Sequence, residues 1–189
     1  MRPLAWVLNL DAELELARPR GYSPSARVLA FVRERRAALA PWLGPDDVLV
    51  DETTARGSRR GFAGAAWCPT PGALKALAGA GAEPPPSPPV EVLRLVNGRG
   101  FCAALGQTLP GAGYVRTLDE AAALVAGPSP SGAWLLKRAY GFVGRGRLRV
   151  PAGPLGASES AWVLASLRGD GGLQIEPWVE RDGDFALHG

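Results

Sequence analysis

Residues 134–150 read WLLKRAYGFVGRGRLRV. Period-two alternation sets Leu135 and Lys137 on one face of a strand and Trp134 and Leu136 on the other. Arg145, Arg147 and Arg149 share a face in the same way. A hairpin through AYGFVGRG therefore gathers a row of cations and backbone amides where an anion could sit. Only two of the 21 basic residues are lysines, Lys75 and Lys137. A lysine ammonium is a compact point charge suited to a phosphate oxygen, which singles out Lys137. The same pattern also describes a solvated strand with arginines on its wet side, and these residues alone leave both readings open.

A second constellation is GGLQIEPWVERDGD, residues 171–184. Leu173 and Ile175 point one way, and Gln174 and Glu176 the other. Pro177 then interrupts the ladder, and a strand ending in such a hinge leaves backbone N–H and C=O groups that an adenine edge can use. Glu180 could hold ribose hydroxyls, although acids gathered with Asp182 and Asp184 in an exposed turn also serve simple solvation. Two familiar nucleotide loops are excluded. No GK[ST] occurs, as a Walker loop requires, and GFVGRG is followed by the strand pattern RLRV where a dinucleotide-binding fold demands a helix.

Composition narrows the remaining classes. The chain has 189 residues, 47% of them apolar, with 25 glycines, 18 prolines and a formal charge of +3. That is enough for one domain with a core or two small ones, and the glycines and prolines fall between apolar runs as turns. A nucleic-acid interface is disfavoured, because no regular aromatic platform accompanies the arginines and acids nearly match bases in number. Cys68 and Cys102 lack metal-binding spacing and are expected to be reduced core thiols. The N-terminus turns acidic at once, unlike a signal peptide, and no apolar run approaches the roughly 20 residues that span a bilayer. A soluble cytoplasmic protein with no membrane partner is expected.

The elements that must position these residues follow from periodicity and punctuation. LAWVLN predicts a strand, residues 25–40 a helix stopped by Pro41, and DVLVD a short strand. That strand–helix–strand order builds parallel sheets. A third strand is expected at 62–67 and a helix capped by Thr70 after it, ending at Gly79 or Gly81. EPPPSPP must be extended and reads as a connector. Beyond it come a helix broken near Asn97 and Gly98, a second helix at about 99–105, a strand at 114–115 and a helix capped by Thr117. Thr117 with Glu120 three residues on has the form of a capping box. Two strands flanking the glycine turn and a helix at 159–167 complete the series.

Lysine strand, glycine turn, basic strand, helix and then GLQIEPWVE together resemble the ATP-grasp superfamily. The resemblance implies an α/β, ATP-grasp-like fold: an N-terminal α/β domain over residues 1–89 and part of a nucleotide-binding domain over 90–189. It implies that Lys137 contacts the phosphates and that Gly141 to Arg147, including Gly144, Arg145 and Gly146, form the loop that folds over them. Glu176, Pro177, Trp178 and Val179 would line adenine, Glu180 would hold the ribose, and Arg99 stands where the family often carries a second nucleotide-binding lysine. The implied ligands are ATP or ADP, with Mg2+ and, in a complete parent, a small-molecule carboxylate. In the family the lobe beyond the hinge supplies the magnesium ligands, whereas this chain stops at GDFALHG. The implied function is the N-terminal portion of an ATP-dependent, acylphosphate-forming carboxylate ligase, inactive in isolation, either a fragment or a degenerate relative. A non-catalytic nucleotide-binding or regulatory module is the alternative. Glu176, Glu180, Asp182 and Asp184 cannot simply become metal ligands when two of them serve hinge and ribose. Asp184, Ala186 and His188 would share one face of the next strand.

Overall fold

A computed structural model describes residues 2–18, 21–106, 108–168 and 171–180. Asp182, Asp184, Ala186 and His188 lie outside these residues. The chain divides into two compact units, one ending at Val96 and the other beginning at Asn97. The architecture is mixed α/β, with a parallel sheet in the first unit and an antiparallel one in the second.

In the first unit, β1 (Leu4–Val7) leads through α1 (Ala12–Ala17) and α2 (Ala26–Leu39) to β2 (Val48–Leu49) and β3 (Ala63–Ala66). β1 is central and pairs in parallel with both neighbours. α3 (Pro71–Ala80) begins where Thr70 Oγ1 accepts the Ala73 N–H and ends at Gly81, whose φ of 89° is left-handed. Leu77 and Ala73 of α3 pack against Ala5, Val7 and Val50. Asn9, just past β1, accepts the Cys68 amide and donates to Cys68 O and Thr70 Oγ1. Glu15 takes the Gly72 N–H at 2.7 Å and the Thr70 hydroxyl at 2.6 Å. The carboxyl end of this sheet, where open α/β folds commonly place ligands, thus holds the chain's own carboxylate at a helix N-terminus. After the proline connector, α4 (Val90–Asn97) runs to the boundary between the units.

The second unit opens with α5 (Arg99–Ala104), β4 (Gly113–Val115) and α6 (Leu118–Ala126). The capping box is present: Thr117 Oγ1 accepts the Glu120 N–H, and Glu120 accepts the Thr117 N–H. β5 (Ala133–Arg138), β6 (Arg147–Pro151), α7 (Ala157–Leu167) and β7 (Leu173–Pro177) follow. The sheet order is β4-β7-β5-β6, antiparallel throughout. Trp134, Leu136, Val150, Leu173 and Ile175 form one face and pack with Ala121, Val125 and Val163 of α6 and α7. Register sets Tyr114, Gln174, Glu176, Leu135, Lys137, Arg147 and Arg149 on the other face.

Asp47 ties β1 to the turn before β2. Its carboxylate accepts the Leu4 amide, the Trp6 indole N–H and the Gly44 amide. The Leu4 hydrogen bond leads in holding its pKa below the ordinary value, with burial opposing and the Trp6 and Gly44 bonds assisting. A depressed folded-state pKa contributes stability that is present above the unfolded pKa and is lost as pH falls through the folded one. Hydrogen exchange at the Leu4 amide should therefore accelerate relative to neighbouring amides of β1 on acidification from about pH 6 to about pH 3. Asp47→Asn should remove that pH dependence, and an unchanged profile in the variant would contradict the assignment.

Candidate functional site

The open face of the second sheet is unusual in its charge. Lys137 on β5 stands directly opposite Arg147 on β6. Like charges in directly opposed positions destabilise a strand pair. Glu176 offsets this from the other side: it pairs in register with Leu135, lies diagonal to Lys137, and its Oε1 accepts a hydrogen bond from Lys137 Nζ. Both side chains are about one-fifth exposed, so their charges are partly desolvated and their interaction is less screened than that of a surface pair. Arg149, two residues beyond Arg147, lies over the Trp178 ring at 4.4 Å.

The connection from β5 to β6 runs over residues 139–146 and contains a strained turn. Phe142 O accepts the Arg145 N–H at 2.9 Å, and the two residues between them, Val143 and Gly144, have φ of 49° and 69°. Two left-handed central residues closed by that bond form a primed turn inside the longer loop between the strands. Glycine adopts this geometry freely, whereas a β-branched valine is strained in it. A Cβ at Gly144 would lie 3.2 Å from the Arg147 guanidinium carbon, so Arg147 packs back beneath the turn. Arg145 and Val143 are exposed, while Phe142 is buried and anchors the loop.

Pro177 is the last residue of β7 and the last paired in its ladder with β5, opposite Trp134. β4 has ended before it: its pairing with β7 stops at Gly113 opposite Ile175. N–H groups alternate sides along a strand, and Trp178 N–H donates to Ala133 O on the β5 side at 2.9 Å. The donor that Pro177 lacks would thus face a flank that β4 has already left. Trp178 O accepts the Ser131 hydroxyl. Backbone available to a ligand therefore begins at Val179, to which no backbone hydrogen bond runs among the described residues. Glu180 follows it, exposed.

A cavity of about 490 Å³ opens against this face, lined by Arg99, Cys102, Leu109, Gln174 and Glu176 among others. α5 roofs it: the helix packs on β4 and β7, and a Cβ at Gly100 would come within 2.9 Å of the Tyr114 ring. Arg99 is tethered there by its Nε, which donates to Arg138 O at 3.0 Å, and by its amide, which donates to Ala139 O. Gln174 is 6% exposed, and its Oε1 has no hydrogen-bond partner among the described residues. A buried amide oxygen left unpaired costs about 1–3 kcal/mol.

Lys137, Glu176, Arg147 and the 141–146 turn thus come together, with Arg99 at the adjoining cavity and Trp178–Glu180 beyond the strand end. Cys102 was expected in a core, yet it is exposed on α5 and faces the cavity. A short helix whose inner face is occupied by Gly100 and Ala103 leaves little apolar signal to place it. A larger cavity, about 600 Å³, lies in the first unit beside Asp51, Arg56 and Lys75. Its carboxylate is already occupied by Thr53 and Thr54 of its own turn, whose hydrogen bonds help to hold its pKa low. Chemistry is therefore better sought at the second unit's sheet. Among the described residues no group of three metal-ligating side chains assembles, and no helix is long and apolar enough to cross a membrane. No family model, curated protein or solved structure matches the chain.

The Lys137–Glu176 pair makes a measurable claim. Lys137→Met should leave a partly desolvated carboxylate, and Glu176→Leu an ammonium facing Arg147, each costing about 1–3 kcal/mol. The double variant should recover most of that loss, because neither charge is then stranded. Urea unfolding of all four proteins yields the coupling energy, and a coupling under about 0.5 kcal/mol would show the pair to be no more than a surface contact.

Proposed function

We propose that the second unit binds a nucleoside triphosphate across the open face of its sheet, as the nucleotide-holding part of an ATP-grasp-like, acylphosphate-forming carboxylate ligase. The observation that carries this reading is the half-buried Lys137 opposed to Arg147 and oriented by Glu176, beside a strained glycine turn. Three cations on one face of the sheet, Lys137 of β5 with Arg147 and Arg149 of β6, against one carboxylate leave a surplus of positive charge, which an anion relieves. Lys137 is the ligand for the phosphates, assisted by Arg147 and by amides of Gly141, Gly144, Arg145 and Gly146 once the turn closes on them. Stored strain at Val143 lowers the cost of such a rearrangement.

On the same reading adenine lies past Glu176 and Pro177, against Trp178, with the Val179 backbone offering the donor and acceptor that read its edge. Glu180 receives the ribose hydroxyls, and Arg99 takes the place of a second phosphate-binding lysine. Magnesium would supply charge neutralisation at the phosphates, and among the described residues no group of three metal-ligating side chains assembles to hold it. Glu176 keeps the Lys137 ammonium extended toward the phosphates rather than folded onto Arg147's side of the sheet.

Calorimetric titration with ATP, ADP and adenosine tests this reading. Lys137→Ala should weaken ATP by about tenfold or more while changing adenosine by less than about twofold, since a charge-assisted bond is lost only from the phosphates. Equal losses for both ligands would remove the phosphate role. Magnesium- and carboxylate-dependent release of ADP then separates a ligase from a module that only holds the nucleotide.

A further inference from the structure

The reading above gives Lys137 and Arg147 to the phosphates and leaves Arg149 without a task. Arg149 pairs in register with Leu135, while Lys137 and Arg147 face each other on one side of it and Trp178 follows the end of β7 on the other. It therefore stands midway along the open face, between the phosphate end and the base end. Its guanidinium carbon lies 4.4 Å from the centre of the Trp178 ring. β6 and β7 flank β5 on opposite sides, so the side chains of Arg149 and Trp178 can meet only above β5. Leu135 and Ala133, which share this face of β5, are accordingly only 4% and 6% exposed.

The two partners differ in freedom. Trp178 is fixed on both sides of its backbone, its N–H donating to Ala133 O and its carbonyl accepting the Ser131 hydroxyl. Arg149 is exposed, and among the described residues no hydrogen bond or ion pair holds it, only the indole. The arginine is the part that can move. A ring face stacked with a guanidinium is closed to a purine, and a cation over an exposed ring gains less than a guanidinium making charge-assisted, often bidentate bonds to a phosphate. Phosphates held at Lys137 and Arg147 lie two strand residues away, about 7 Å, within the span of an arginine side chain. They thus offer Arg149 a stronger partner at the moment the base needs the ring that Arg149 covers. Adenosine offers no such exchange, because the guanidinium it displaces is left to water.

We infer that Arg149 couples the two ends of the site: it stacks on Trp178 until phosphates bind, then turns to them and yields the ring to adenine. The site accordingly discriminates nucleotides from nucleosides by more than the contacts of Lys137 alone supply. The inference rests on the nucleotide reading of the same face, but the two fail differently.

Full-length wild type and Arg149→Ala are titrated by calorimetry with ATP, with adenosine, and with adenosine in saturating inorganic pyrophosphate. Arg149→Ala should move the first two ligands in opposite directions. Adenosine should tighten about twofold to fivefold, because the ring is no longer covered, and ATP should weaken about threefold or more, because a charge-assisted phosphate bond is lost. In wild type pyrophosphate should tighten adenosine about twofold to fivefold, and in Arg149→Ala that effect should vanish. Adenosine binding that weakens in parallel with ATP would make Arg149 a mere support for the indole and overturn the coupling. Wild type that binds ATP but shows no effect of pyrophosphate on adenosine would overturn it without any variant, and both results leave the nucleotide site standing. Failure of wild type to bind ATP would overturn both.

Discussion

The second unit depends on the register of β5 against β7. Leu136 lies opposite Ile175, and both are completely buried between the sheet and its two covering helices. Because strand side chains alternate, a slip of β5 by one residue would turn Leu135 and Lys137 into that core and expose Leu136 and Trp134. The apolar face therefore fixes where every charge on the open face must stand. β6 inherits the constraint through Leu148 opposite Leu136, which sends Arg147 and Arg149 to the same side as Lys137.

Placing like charges in opposed positions is unfavourable unless something offsets it. Glu176 does so here, and the surplus that remains is why we read this face as a site for phosphates. Strain at Val143 points in the same direction, since it is a cost that a bound molecule could relieve. The first unit shows the contrasting case. Its comparable position, the carboxyl end of the parallel sheet, is closed by Asn9, Thr70 and Glu15 bonded to one another.

Local signals in the sequence were the dependable ones. Thr70 and Gly81 bound α3, Thr117 and Glu120 form the capping box, and alternation from Trp134 to Lys137 separates core from open face as the pattern implies. Strands at 63–66 and 113–115 and the helix at 99–104 fall within a residue or two of their expected limits. What escaped reading depends on partners distant in the chain. The β2-β1-β3 order, the Lys137–Glu176 bond between residues far apart in sequence, and the place of Pro177 beyond the end of β4 all require a register that no single segment states. α1 was missed because AELELA alternates acid and apolar residues and so lacks a helical period. Cys102 was misplaced because its helix buries no residue fully and turns small residues such as Gly100 toward the sheet.

We propose that ligand binding is confined to the open face of the second unit's sheet. Backbone amide resonances followed through a titration with ATP test it most directly. The account predicts that the largest shifts fall in Leu135–Arg138, the 141–147 turn and Gln174–Glu180, with the amides of α6 and α7 on the opposite face nearly unmoved. Shifts centred on Asp51, Arg56 and Lys75 of the first unit, or spread evenly over both faces of the sheet, would contradict it.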